Sequence, residues 1–112
     1  MEDKILEKVI RVMLDNKAND VVYIQVTNVN PLADYYVIAS VDSNRQALAI
    51  AKYVSDVLYD NDVNVKHIEG NENSEWILVD GTDYIVHLFV KDARTRYGLE
   101  KMWSDLPIIK VG

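Results

Sequence analysis

The side chains best equipped for chemistry fall in one stretch, Trp76-Ile77-Leu78-Val79-Asp80-Gly81-Thr82-Asp83-Tyr84-Ile85-Val86-His87-Leu88-Phe89. Two β-rich runs flank an Asp-Gly turn signal there, which points to a tight antiparallel hairpin. With Gly81-Thr82 as the loop, Asp80 sits opposite Asp83, Leu78 opposite Ile85, and Trp76 opposite His87. A loop at Asp80-Gly81 slides every partner by two and leaves the faces unchanged. One face then carries Trp76, Leu78, Asp80, Asp83, Ile85, His87 and Phe89, and the other carries Ile77, Val79, Tyr84, Val86, Leu88 and Val90. The second set is core material. The first mixes apolar bulk, an imidazole and two like charges, which suits a docking surface or a site.

Facing carboxylates at Asp80 and Asp83 repel by a fraction of a kcal/mol, and a partner's Lys or Arg would relieve that. Asp is also a common turn residue, so the pair has a purely local explanation. Trp76 is either core or an apolar anchor of the kind enriched at interface hot spots. His87 is either a hydrogen-bonded structural histidine or a functional one.

Catalytic arrangements fit less well. A Ser/His/Asp triad on His87 and Asp83 fails, because residues four apart on a strand are roughly 13 Å apart. His67 and His87 lack metal-ligand spacing, and no glycine-rich phosphate loop is present. The rival that remains is a nucleotidyltransferase-like enzyme holding Mg²⁺ on Asp42, Asp80 and Asp83, although Val41-Asp42-Ser43 offers only one acid where such enzymes pair two. The expectation is a protein that is not an enzyme and takes no cofactor or metal.

The elements that must hold these residues can be read from periodicity. Residues 2–16 space Ile5, Leu6, Val9, Ile10, Met13 and Leu14 as an amphipathic helix, with Glu2 and Asp3 in its first turn. Residues 21–26 and 35–41 read as strands, the second apolar at nearly every position and so expected in the middle of a covered sheet. Ser43-Asn44-Arg45-Gln46 has capping-box spacing and opens a helix to about Tyr59. Residues 63–68 alternate like an edge strand, the hairpin follows, and Asp92 caps a last helix from Ala93 to about Trp103, weakened by Gly98. Arg96 and Glu100 have the spacing of a surface pair. Pro107 opens an extended tail. The strand, capped helix and following strand form a right-handed crossover, and the last three strands an antiparallel meander. The fold expected is α/β, a mixed five-stranded sheet with packed helices.

At 112 residues the chain reads as one domain, 1–112, with 49% apolar and 27% charged residues. It has no cysteine, which excludes disulfides and thiolate chemistry and fits a cytoplasmic protein. No apolar run is long enough to span a bilayer, and Met1-Glu2-Asp3 is acidic where a signal peptide is basic. A net charge of −6 argues against direct nucleic-acid binding and favours a basic partner.

From residue 34 to 107, about two thirds of its length, the chain carries Asp34-Tyr35-Tyr36-Val37-Ile38-Ala39-Ser40; Arg45-Gln46 with Ala49-Ile50-Ala51; Glu69-Gly70; Trp76-Ile77-Leu78-Val79-Asp80; Asp83; Val86-His87-Leu88-Phe89; and Arg94, Tyr97, Leu99-Glu100, Trp103 and Asp105-Leu106-Pro107. In these residues and their order it resembles the Iojap family of ribosomal silencing factors. The resemblance implies nucleotidyltransferase-like topology and binding to the large ribosomal subunit through its ribosomal protein fourteen, which blocks joining of the small subunit and lowers translation without catalysis. It also implies a homodimer in isolation. The contact residues it implies are Glu69, Trp76, Asp80, Asp83, His87, Phe89, Arg94, Tyr97, Glu100 and Trp103, with an adaptor for another basic protein as the alternative. The chain departs from the family in having Val41 where a glycine is usual, and Gly81-Thr82 where the glycine usually stands just before the second Asp.

Overall fold

The computed structural model describes residues 3–29 and 31–112. Its order is α1 (Lys4–Asp15), β1 (Asn19–Gln25), β2 (Tyr35–Val41), α2 (Asn44–Asp60), β3 (His67–Glu69), β4 (Trp76–Gly81), β5 (Tyr84–Val90), α3 (Ala93–Tyr97), a 3-10 helix (Leu99–Trp103) and β6 (Ile109–Lys110). Asp3 is the N-cap of α1, its carboxylate accepting from the Leu6 amide at 2.9 Å, while the Glu2 expected beside it lies outside the described residues. The buried stripe of α1 is Leu6, Val9, Ile10 and Met13, the i, i+3, i+4, i+7 rows of one helix face. Ser43 caps α2 by accepting from the Gln46 amide at 3.1 Å. The return bond from Gln46 reaches the Asp42 amide rather than that of Ser43, and its side-chain NH₂ holds the Asn16 and Lys17 carbonyls where α1 ends.

The six strands lie in the order β3-β4-β5-β2-β1-β6. Apart from the parallel pair β2 and β5, neighbours run antiparallel. β2 is central as its apolar run demands, with Val37, Ile38, Ala39 and Val41 buried. The sixth strand is an addition to the expected five: the tail after Pro107 pairs Ile109 and Lys110 with Tyr23 and Val22. Two residues are too few for strand periodicity to show.

The hairpin register differs from both expected loops. Gly81 pairs with Tyr84, so the loop is Thr82-Asp83 and Asp80 faces Ile85, Leu78 faces His87, and Trp76 faces Phe89. The faces survive, because the shift is again by two. Asp80 and Asp83, however, are not opposite one another: Asp80 accepts from the Thr82 amide at 3.1 Å, and the Asp83 carbonyl accepts from the amides of Asp34 and Tyr35. Gly81 is required by packing, since a Cβ there would lie 2.5 Å from Leu58 Cδ1 and 2.8 Å from the Tyr84 carbonyl oxygen. The positive φ that the turn needs falls instead on Thr82, at 64°.

The last helix is likewise two pieces. Gly98, at φ 62°, is a left-handed C-cap that ends α3 after Tyr97, and the chain restarts as the 3-10 helix. Asp92 makes no side-chain capping bond; its carboxylate binds Arg96 at 3.2 Å. The first face of the sheet is closed by α1 and α2 over an aliphatic core that includes Val37, Val79, Val86 and Leu88. The second face is covered over β1, β2 and β5 by Ala93, Leu99, Trp103 and Leu106 of the C-terminal segment. Toward β3 and the Leu78 and Asp80 part of β4 it is left open.

Candidate functional site: the second face of the sheet

Period-two alternation puts Trp76, Leu78 and Asp80 of β4, Ile85, His87 and Phe89 of β5, and Tyr36 of β2 on this second face. Trp76 is half-buried. Its ring lies 5.0 Å from Phe89, 4.9 Å from Tyr97 and 5.7 Å from His87, centroid to centroid, and its indole N–H donates to His87 Nδ1 at 3.1 Å. That bond fixes the neutral tautomer: Nδ1 accepts, so the proton sits on Nε2. Nε2 is buried with no partner among the described residues, as is the indole nitrogen of Trp103. Tyr36 stands edge-on to both rings, 5.1 Å from His87 and 5.4 Å from Trp103. Burial pushes the His87 imidazole down to about 4, so it is uncharged at neutral pH.

The expected contact residues therefore separate. Phe89 and His87 are buried, at 0% and 4% exposure, and lie under the face rather than on it. Arg94 and Glu100 bind each other in a two-pronged pair at 2.7 and 3.1 Å, and Arg94 also donates to the Asp20 carbonyl and the Ser40 hydroxyl. The expected Arg96–Glu100 pair does not form. Arg96 instead grips Glu75 at 2.8 and 3.0 Å, which holds the Glu75 carboxyl below the usual range. The break at Gly98 explains this, because an i,i+4 pair requires an unbroken helix. Trp103 packs against the second core from its edge.

Glu69, Trp76, Asp80 and Tyr97 do reach the open part. They line two contiguous hollows that share Glu69 and Leu78. One, about 620 Å³, lies between β4 and α3 with Trp76, Glu75 and Tyr97. The other, about 300 Å³, has His87 and Ile85 on its floor and Asp80, His67 and Leu32 around it. Leu78, Ile85, Tyr36 and His67 were not singled out as contacts from sequence. For Leu78 and Ile85 the signal was there, since both alternate onto the same face as Trp76.

The carboxylates of the enzyme reading do not converge. Asp83 abuts the start of β2, whereas Asp42 follows its end, and seven strand residues span roughly 20 Å. No group of three or more His, Asp or Glu fit to hold a metal occurs among the described residues. No helix among them is long and apolar enough to cross a membrane. The arrangement can offer an aromatic and aliphatic floor, with a rim of charged side chains that includes Glu69, Asp80 and Lys66, to a macromolecular surface.

Fold and site thus define a small mixed α/β protein with one closed and one half-open sheet face. Comparison with known proteins makes this specific. The family described as RsfS, ribosomal silencing factor during starvation, matches residues 2–112. The chain is 38% identical over 94 residues to the ribosomal silencing factor RsfS of Bacillus subtilis, covering 84% of this chain and 80% of that one. With its counterpart in Halalkalibacterium halodurans it is 33% identical over 108 residues, covering 96% and 92%. A crystal structure of a Chromobacterium violaceum protein superposes with a TM-score of 0.84 at 32% identity, covering 97% of this chain and 92% of that one. The chain belongs to the ribosomal silencing factor family.

Proposed function

We propose that this protein represses translation in the cytoplasm by occupying ribosomal protein fourteen of the large ribosomal subunit, and so keeping the small subunit from joining. The observation that supports this best is the half-open second face. Leu78, Ile85 and Trp76 offer an apolar centre; around it stand Glu69, bonded to His67 at 2.9 Å, Asp80, Lys66, and Glu75 in its pair with Arg96, the layout of an interface with an apolar core and a charged margin. The chain's net charge of −6 adds long-range attraction to a basic partner. A mouse relative, 30% identical over 103 residues, is named for mitochondrial assembly of the ribosomal large subunit, although this chain covers 45% of it. The action is steric, so no bond is made or broken and no residue is catalytic.

The test is co-sedimentation with separated ribosomal subunits, followed by subunit rejoining in the presence of the protein. Pelleting with the large subunit alone, and a dose-dependent loss of joined ribosomes, are expected. Pelleting with the small subunit only, or with neither, contradicts the reading.

A further inference from the structure

A cavity of about 980 Å³ lies away from the aromatic hollows, where β2 and β5 end at Val41 and Val90. These two are the parallel pair, and their onward connections part. β2 continues through α2 over the first face toward β3, and β5 through α3 over the second face toward β6. Adjacent parallel strands whose crossovers leave in opposite directions open a crevice beyond their carboxyl ends, the place where open α/β sheets bind ligands. A volume of this size also lies in the range of ligand pockets.

The crevice is furnished for an anion. Lys91 follows β5 directly and adopts φ 55°, a left-handed conformation costly for a non-glycine residue and concentrated at functional sites; its amide is held by the Val41 carbonyl at 2.8 Å. Lys101 of the 3-10 helix and Lys110 of β6 line the same cavity. All three are exposed, and none of their ammonium groups has a partner among the described residues. Arg94 is committed to Glu100, so that pair forms a rigid, neutral wall carrying the Ser40 hydroxyl. What remains is three cations from separate segments gathered beside Asp20 and Asp42 in a chain of net charge −6. Ammonium groups recognise phosphate oxygens as point charges, and carboxylates accept from sugar hydroxyls.

We propose that this crevice binds a phosphorylated, hydroxyl-bearing small molecule of nucleotide size, with its phosphates on Lys91, Lys101 and Lys110 and its hydroxyls on Asp20 or Asp42. Sequence gave no hint of a phosphate site because the lysines come from separate segments that no local motif marks. The site is independent of the ribosomal docking face.

The experiment is an amide-resolved NMR titration of the full chain with ATP and, separately, with inorganic pyrophosphate, at physiological salt. Saturable shifts confined to Ser40, Asp42, Lys91, Thr95 and Lys101 are expected at millimolar or lower ATP, with pyrophosphate weaker. In Lys101→Glu/Lys110→Glu the affinity for ATP should fall roughly tenfold or more while the remaining spectrum stays that of the folded protein. Large-subunit pelleting of this variant should be unchanged, so the two proposals can fail separately. Absence of saturable shifts with ATP, shifts scattered over all lysines, or equal affinity in the double variant overturns the site. Loss of subunit pelleting in the double variant without any ATP binding overturns it too, and assigns the lysines to ribosomal RNA instead.

Discussion

The two faces of the sheet are built from the same strands and end up with opposite properties. The first is aliphatic and closed: Val37, Val79, Val86 and Leu88 are fully buried beneath α1 and α2. The second is aromatic and half-covered: a short C-terminal segment reaches β1, β2, β5 and Trp76 of β4, and stops short of Leu78, Asp80 and β3. A full helical layer gives a mostly apolar interior, in which the buried Tyr84 hydroxyl donates to the Asp3 carboxylate at 2.8 Å. A partial cover leaves Trp76, Leu78, Ile85 and Asp80 at its margin, and a histidine beneath them whose second nitrogen has no partner among the described residues. Stability is concentrated on one side, and the surface proposed for a partner lies on the other.

The sharpest way to break that contrast is to truncate equivalent positions on each face. Leu88→Ala on the closed face should cost about 2–5 kcal/mol, because the cavity it leaves cannot collapse between sheet and helices. Leu78→Ala on the open face should cost less than about 1 kcal/mol. Chemical denaturation of both variants checks this; similar losses would show that the second face is also ordinary core. Gly81→Ala comes next. A Cβ there meets the Tyr84 carbonyl, which cannot step aside, so a loss of about 1–3 kcal/mol is expected in the same measurement.

His87 sharpens the comparison through pH. Its folded value is about 4 and its unfolded value about 6.5, so between the two the unfolded chain binds the extra proton. Stability is therefore full above about pH 6.5 and falls as pH drops toward 4, by on the order of 3 kcal/mol for this group at the limit. His87→Gln should flatten the slope of unfolding free energy between pH 6.5 and 5, and an unchanged slope would place the titration elsewhere. The smallest effect is at the turn. Thr82→Gly removes left-handed strain of about 1 kcal/mol but also the hydroxyl bond to the Asn64 carbonyl at 2.7 Å, so the net change in melting should stay within about 1 kcal/mol either way.

Much of the fold was legible because periodicity and capping are local. α1, β2 and the Ser43 cap follow from spacing alone, and the division of the hairpin into two faces survives any register shift of two. The loop itself was misplaced, because Asp-Gly is a turn signal whereas this glycine serves the close approach of Leu58 to the strand end. The last helix was read as continuous since a single glycine is tolerated in a helix; here it takes φ 62° and swings Glu100 from Arg96 to Arg94. Of the site, the membership of the aromatic face could be read from alternation. Which of its residues are buried could not, because that depends on a C-terminal segment folding back over only part of the sheet.

The open part of the second face is the proposed ribosome contact. Glu69→Lys/Leu78→Lys places two cations at the residues shared by both hollows without touching the closed core. In quantitative pelleting with purified large subunits, this variant should melt close to wild type yet bind at least roughly 30-fold more weakly, the loss of about 2 kcal/mol expected at an interface centre. Wild-type affinity for the large subunit in a folded double variant would contradict it, and would move the contact to another face of the domain.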